Sequence, residues 1–310
     1  MEVQAQPKEK FEIIQHMLER DNNLLNISWL CECAGVSRSG YYNWVSSKGV
    51  RDIKDDQDRK DFELILEAYQ FRGYDKGKRG IYMRLLNMGK RMNQKKISRL
   101  MNKFNLKCPI RKANPYRRMA KALKTSNVAD NLLSREFKEH GARAVLLTDI
   151  TYMFYGHSQK AYLSTIMDAF TKQILSYVLS DSLEVDFVLE TVNILIHEHG
   201  VSLTKETLIH SDQGCHYTSI RFQELIQKEE IRQSMSRRGN CWDNAPQESF
   251  FGHMKDEIHI DKCSTFDELK NEIDNYMDYY NNDRYQWNLA KLSPNQYFKY
   301  LETGEYPIKI

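Results

Sequence analysis

Between residues 144 and 258 the chain alternates short apolar runs with helix-periodic stretches, in an order that few folds accommodate. Residues 144–147 are apolar and end in Thr148-Asp149-Ile150-Thr151; residues 161–170 and 173–179 are two further β-rich runs. Residues 183–199 have helical spacing, with Phe187, Val188, Val192, Leu195 and Ile196 on one stripe. A short strand at 207–209 leads into His210-Ser211-Asp212-Gln213-Gly214, followed by a helix near 219–228, a strand at 231–235 and a helix at 244–258. The order β-β-β-α-β-α-β-α predicts a mixed sheet flanked by helices, an α/β layer fold.

Three acids stand where such a fold presents side chains to a ligand. Asp149 closes or sits within the first strand, and Asp212 immediately follows the fourth. Glu248 belongs to the last helix, where Asn244 is expected as N-cap with Gln247 reaching back to it, and Pro246 fits the first turn. Phe251, Met254 and Ile258 form the buried face; Glu248 projects from the opposite side, with Gly252 one turn on and Lys255 two turns on. Magnesium takes hard oxygen ligands and keeps several waters, so a few carboxylates suffice for it. Two such ions roughly 4 Å apart activate a water or a 3′-hydroxyl and stabilise the leaving oxygen in phosphoryl transfer. The competing reading is that these are three surface acids among the chain's 42.

The net charge of +3 hides a division. Residues 76–125 hold 17 Lys or Arg and no Asp or Glu, leaving 28 basic against 42 acidic residues elsewhere. A block of this kind meets a polyanion, with nucleic acid favoured over a merely solvated face. Within it, 94–104 reads as a helix with Ile97, Leu100, Met101 and Phe104 inward and Lys95, Arg99 and Lys103 on another face, with Lys96 beside them. An earlier helix near 79–87 points Ile81 and Leu85 inward, and Gly89 closes it, giving a helix-turn-helix pattern. The segment 109–124, with Arg111, Lys112, Arg117, Arg118 and Lys121, is a basic connector suited to phosphates. A second helical pair is expected at 27–34 and from the Ser37 cap to Trp44, with Arg38 exposed and Tyr41, Trp44 and Val45 packed. Sequence-specific DNA contact and protein docking remain equally open for that pair. Residues 51–60 read as a charged linker or exposed helix start.

Six scattered cysteines without a C-x-x-C pair point to neither a disulfide framework nor a zinc module. No apolar run approaches the roughly 20 residues of a bilayer span, and residues 1–10 are polar, so a soluble cytoplasmic protein is expected.

Together the motifs resemble the transposases of the insertion sequence 3 family. Asp149 in T-D-I-T-Y, Asp212 in H-S-D-Q-G and Glu248 in D-N-A-P-Q-E-S-F-F match the family's D,D(35)E triad, with 35 residues between the last two. The likeness continues through 234–240, Lys255, Tyr280-Asn281, Arg284, Leu289, Ser293 and Pro294, and upstream through Arg79-Gly80-Ile81, Lys96 and Arg99-Leu100-Met101. It implies a ribonuclease H-like, retroviral integrase-like α/β catalytic core with N-terminal all-α helix-turn-helix DNA-binding modules. The expected division is 1–50 and 51–125 for the two modules, 126–262 for the core and 263–310 for a helical extension.

The resemblance implies that Asp149, Asp212 and Glu248 are catalytic and hold two Mg²⁺, with Mn²⁺ able to substitute and no zinc. Expected DNA contacts are Lys255, Arg38, Lys95, Lys96, Arg99, Arg237 and Arg238, with 237–242 as a mobile loop beside the site. Implied partners are double-stranded DNA, as terminal inverted repeats and as target, further copies of the chain on DNA, and the OrfA product as fusion partner; no membrane is involved. The place of action is the cytoplasm, on the nucleoid when DNA-bound. Two departures stand out: Leu146 or Leu147 replaces the Trp often found before T-D-I-T, and the H-H-C-C zinc module of retroviral integrases is absent. A non-catalytic repressor shares the basic block but has no reason to keep all three acids in context. A ribonuclease H-type nuclease shares the metals but not these motif contexts.

Overall fold

The computed structural model describes residues 6–20, 24–73, 77–108, 141–236 and 244–308. It divides into two compact units between Leu64 and Ile65. The first holds α1 (Pro7–Leu18), α2 (Ile27–Ala34), α3 (Arg38–Ser46) and the first part of α4 (Lys48–Gln70). Asn26 caps α2 by accepting from the Ser28 amide, and Gly35, at φ +63°, closes it in the left-handed region where a Cβ is costly. Ser37 accepts from the Gly40 amide and starts α3. Ile14, Leu30, Cys31 and Tyr41 meet in one small core. Val45, expected to pack, is instead exposed, because the inward face of α3 is set by Tyr41 and Trp44. Residues 51–60 are helical, within α4.

The second unit starts with α5 (Lys78–Asn87) and α6 (Gln94–Lys103). Ile81, Met83 and Leu85 of α5 and Ile97, Leu100 and Met101 of α6 are buried, while Lys95, Arg99 and Lys103 are exposed. Asn93 caps α6 by accepting from the Lys95 amide. There follow β1 (Val145–Tyr155), β2 (Gln159–Asp168), β3 (Ile174–Ser180), α7 (Asp186–His199), β4 (Leu208–Ser211), α8 (Ile220–Lys228), β5 (Arg232–Met235), α9 (Ala245–Glu257), α10 (Phe266–Asn282) and α11 (Pro294–Thr303). The described strands form one sheet in the order β3-β2-β1-β4-β5. β1, β2 and β3 pair antiparallel, and β4 and β5 join parallel to β1.

Met153, Tyr155, Ala161 and Leu163 face α9 and α10 on one side of the sheet. Leu146, Ile166, Leu175 and Ile209 face α7 and α8 on the other. Asp168, wholly buried at the end of β2, accepts from the amide and guanidinium of Arg143 and from the Phe170 amide, which ties the start of β1 to the end of β2. Helices on both faces of this mixed sheet make the α/β layer arrangement that the element order predicts. Among the described residues no helix is long and apolar enough to cross a membrane.

One mismatch of strand length prepares the site. β1 pairs with β4 only over Val145–Leu147, yet continues to Tyr155. From Thr148 onward the β4-side edge of β1 is therefore open.

Candidate active site

Asp149 stands on that open stretch of β1, opposite Thr165 of β2. One carboxylate oxygen accepts from the Ile150 amide at 2.8 Å. Asp212 follows β4 directly and closes a tight turn: its Oδ1 accepts from the Gly214 amide at 2.8 Å, and Ser211 Oγ donates to its carbonyl. A Cβ at position 214 would lie 2.8 Å from Asp212 Oδ1, so the turn admits only glycine without displacement. The turn is tied to β5, because Gln213 Nε2 donates to the Ser236 carbonyl, and His210 Nδ1 lies 3.0 Å from Ser234 Oγ across the β4–β5 ladder.

Glu248 lies on the exposed face of α9, with Gly252 and Lys255 also exposed. The expected Asn244–Gln247 capping box is not made. Asn244 Nδ2 donates to the Thr148 carbonyl at 3.5 Å, and the wholly buried Gln247 donates to the carbonyl and hydroxyl of Thr165. Both side chains leave the helix end because buried strand groups compete for them: the Thr148 carbonyl, on the edge of β1 that β4 does not reach, and the Thr165 hydroxyl. The result is positional. Thr148 precedes Asp149 and Thr165 is its cross-strand partner, so the start of α9 is fastened to the two residues that frame Asp149.

Burial, then the charge of Asp212 and, more weakly, that of Glu248 push the Asp149 carboxyl up to about 8, against the Ile150 amide and Lys255. Although the residue as a whole is exposed, partial desolvation draws the Lys255 ammonium down while Asp149 holds it up. Asp149, Asp212, Glu248 and Lys255 thus share one electrostatic neighbourhood. Tyr217, which the sequence reading passed over, belongs to it too. It is 1% exposed, its hydroxyl lies 3.4 Å from Thr148 Oγ1, and burial followed by the Asp149 charge pushes its phenol well up. Its one sequence signal was its place five residues after Asp212, beyond the H-S-D-Q-G run.

Among the described residues no group of three or more His, Cys, Asp or Glu is arranged to hold a metal ion. The three carboxylates are neighbours electrostatically without forming a closed cage. Arg38 is exposed on α3, and Lys95, Lys96 and Arg99 lie on α6, on elements other than those bearing the carboxylates. Arg237, Arg238, the loop 237–242 and the connector 109–124 lie outside the described residues. A cavity of about 400 Å³ lined by Arg79, His253, Glu257 and Arg284 is separate from the carboxylates. Asp149 lies on a stretch of β1 that β4 does not cover, with Asp212 in the turn after β4 and Glu248 on α9.

The sequence matches the family described as integrase core domain over residues 139–241, a second integrase core domain family over 248–299, and an HTH-like domain over 56–114. InsK of Escherichia coli (strain K12), from insertion sequence element IS150, is 33% identical over 274 residues, covering 86% of this chain and 92% of that protein. Transposase InsF for insertion sequence IS3A of the same organism is 24% identical, covering 90% and 96%. The catalytic core domain of BIV integrase is 16% identical with a TM-score of 0.40, covering 52% of this chain and 96% of that one.

Proposed function

The chain belongs to the insertion sequence 3 family of transposases, with an integrase core and an HTH-like domain, and on that premise we propose that Asp149, Asp212 and Glu248 are its catalytic residues. The observation that carries this reading is the meeting of three carboxylates, from β1, from the turn after β4 and from α9, at the open edge of β1. Their oxygens are the hard donors that Mg²⁺ or Mn²⁺ prefers. Burial, and after it the charges of Asp212 and Glu248, hold the Asp149 carboxyl high, and a cation would relieve the repulsion among the three. Without a closed cage, the ions would be completed by water and by DNA phosphate. When bound, they supply activation of the attacking oxygen and neutralise charge on the leaving one.

The chain's own groups then have distinct tasks. The open edge of β1 admits the scissile strand. Asn244 and Gln247 hold the helix bearing Glu248 against the strands bearing Asp149. Lys255 places an ammonium on a phosphate beside the carboxylates. Water first displaces the strand at an element end, breaking a phosphorus–oxygen bond and freeing a 3′-hydroxyl. That hydroxyl then attacks a target phosphate, and as the new phosphodiester forms the target's own phosphorus–oxygen bond breaks and its 3′-hydroxyl leaves. No protein nucleophile is required, so catalysis rests on positioning and electrostatics.

Recognition of the terminal inverted repeats is assigned to the basic helix-turn-helix of α5 and α6 with Lys95, Lys96 and Arg99, and to Arg38 of the first unit. Further copies of the chain and an OrfA fusion complete the assembly on DNA, in the cytoplasm. The test is cleavage of a labelled duplex bearing an element end. Glu248→Gln should bind that duplex like the native chain and lose cleavage by at least about 10²-fold, the scale of removing one transition-state stabiliser. Cleavage at native rate in this variant would overturn the assignment.

A further inference from the structure

The face of the β1–β2 hairpin beyond the shelter of α7 and α8 carries an uncovered aromatic ledge. Ile150, next along the same face, still packs into the core beneath those helices. Tyr152 is 49% exposed and Phe154 56% exposed, with their rings edge to face at 5.8 Å. Tyr162 stands directly opposite Tyr152, and Lys160 opposite Phe154. The Lys160 ammonium lies 4.7 Å from the Tyr152 ring centre and 4.9 Å from that of Tyr162. Lys255 reaches the same ring, at 5.2 Å, from α9 on the other side of the sheet, because β4 stops short and leaves the edge of β1 open. Neither lysine makes an ion pair among the described residues.

Two exposed aromatic rings at the end of a sheet are a desolvation liability unless something covers them. A base that stacks on Tyr152 takes the place of a lysine over the ring face, and the displaced ammonium, on its flexible stem, reaches the adjoining phosphate. The ledge is also rigid. Gly156, at the hairpin tip with φ +50°, donates its amide to the Cys263 carbonyl, and a Cβ there would lie 2.8 Å from the Ser264 carbonyl oxygen. Tyr152 is three residues from Asp149 along one strand, and Lys255 interacts with both.

We propose that Tyr152 and Phe154 form a stacking site for an unpaired base of the DNA strand that leaves the carboxylate site, with Lys160 and Lys255 on its phosphates. The proposal rests on the transposase reading for its substrate and adds to it a single-strand subsite. An edge strand that offers aromatic faces and cations, with no shape matched to a groove, favours unstacked nucleotides over duplex. A transposase gains from this, since the end of an element must be held open while its 3′-hydroxyl is delivered.

The test measures binding of the full chain to a fluorescent dT oligomer of about twelve nucleotides and to a duplex of equal length, by anisotropy, without divalent metal. Tyr152→Ala should weaken binding of the single strand by about 5- to 150-fold, the effect of losing one base–aromatic stack, and leave duplex binding within about two-fold. Tyr152→Trp should keep the affinity. Lys160→Gln should lower the slope of log K against log salt on the single strand by about 0.7, one released counterion. Native-like single-strand binding by both Tyr152→Ala and Phe154→Ala, equal losses on both probes, or no single-strand binding by the native chain would overturn the proposal. Failure here with intact cleavage of an element end leaves the transposase reading standing. Stacking without cleavage would do the reverse.

Discussion

Gln247 fixes the Glu248 carboxylate from one residue away. It is wholly buried, and its amide donates to both the carbonyl and the hydroxyl of Thr165, the cross-strand partner of Asp149. Gln247→Leu keeps much of the volume and removes both donations, leaving the buried Thr165 hydroxyl without this partner. The expected cost is about 1–3 kcal/mol in chemical denaturation. Cleavage should fall further than stability does, with binding of element-end DNA unchanged, because only the register of α9 against β1 has loosened. Loss of stability with native cleavage would show that Gln247 does not position Glu248. At this scale the sequence misread the supports of the proposed catalytic acids. Asp149, Asp212 and Glu248 stand out in the sequence because each lies in a short motif, within the first strand, after the fourth and on the helix that follows. Asn244 and Gln247 were read as a local capping box, since the spacing fits one. Their partners Thr148 and Thr165 lie 96 and 82 residues away, and no local pattern points to them. Tyr217 was missed for the same reason, being defined by what the fold packs around it.

Along α9 the constraint is applied at both ends. The N-terminal end is held by Asn244 and Gln247, and the C-terminal end by Glu257. The Glu257 carboxylate accepts from Arg284 Nε at 2.8 Å and Nη2 at 2.7 Å, and from the Tyr276 hydroxyl at 3.0 Å. Both partners of the ion pair are largely withdrawn from solvent, at 7% and 17% side-chain exposure. Arg284→Ala leaves a buried carboxylate without its cation, for which about 3–5 kcal/mol of destabilisation is expected in denaturant unfolding. Burial alone would raise the Glu257 carboxyl, but attraction to Arg284 and its hydrogen bonds outweigh burial and hold it below its ordinary 4.5. A depressed carboxyl stabilises the fold fully above its unfolded value and progressively less as pH falls through its folded value. Thermal stability of the native chain should therefore drop as pH is lowered below 4.5, with a smaller drop in Glu257→Gln. Parallel curves for the two would sink the linkage. The order of strands and helices in the core was legible because burial patterns differ between its layers. β1 runs on to Tyr155, past the apolar run that announced it, because its outer half is amphipathic and aromatic rather than continuously apolar. Of the two readings that its scarcity of apolar residues leaves for 51–60, a charged linker or an exposed helix start, the helix is the one found.

At the scale of the whole molecule, charge separates two tasks. Seventeen basic residues gather in a segment without a single carboxylate, while Asp149 feels the repulsion of Asp212 and Glu248. This asymmetry was legible from composition alone, whereas the division of the chain between Leu64 and Ile65 falls inside a continuous helix and has no compositional mark. Binding and chemistry should accordingly separate by mutation. Each lysine or arginine that neutralises a phosphate releases condensed counterions, so its removal lowers the slope of log K against log salt on duplex DNA by about 0.9. Replacing Lys95, Lys96 and Arg99 by Gln in the full chain should therefore flatten that slope by about 0.9 for each residue that touches phosphate. At saturating protein, cleavage of an element end should proceed at the native rate, because the carboxylates and Lys255 stand on other elements. Glu248→Gln should give the mirror image, with an unchanged slope and no cleavage. A triple variant with the native slope would remove α6 from the DNA interface. One that binds at saturation yet cleaves slowly would mean that α6 also aligns the scissile phosphate, a coupling that charge neutralisation alone does not produce.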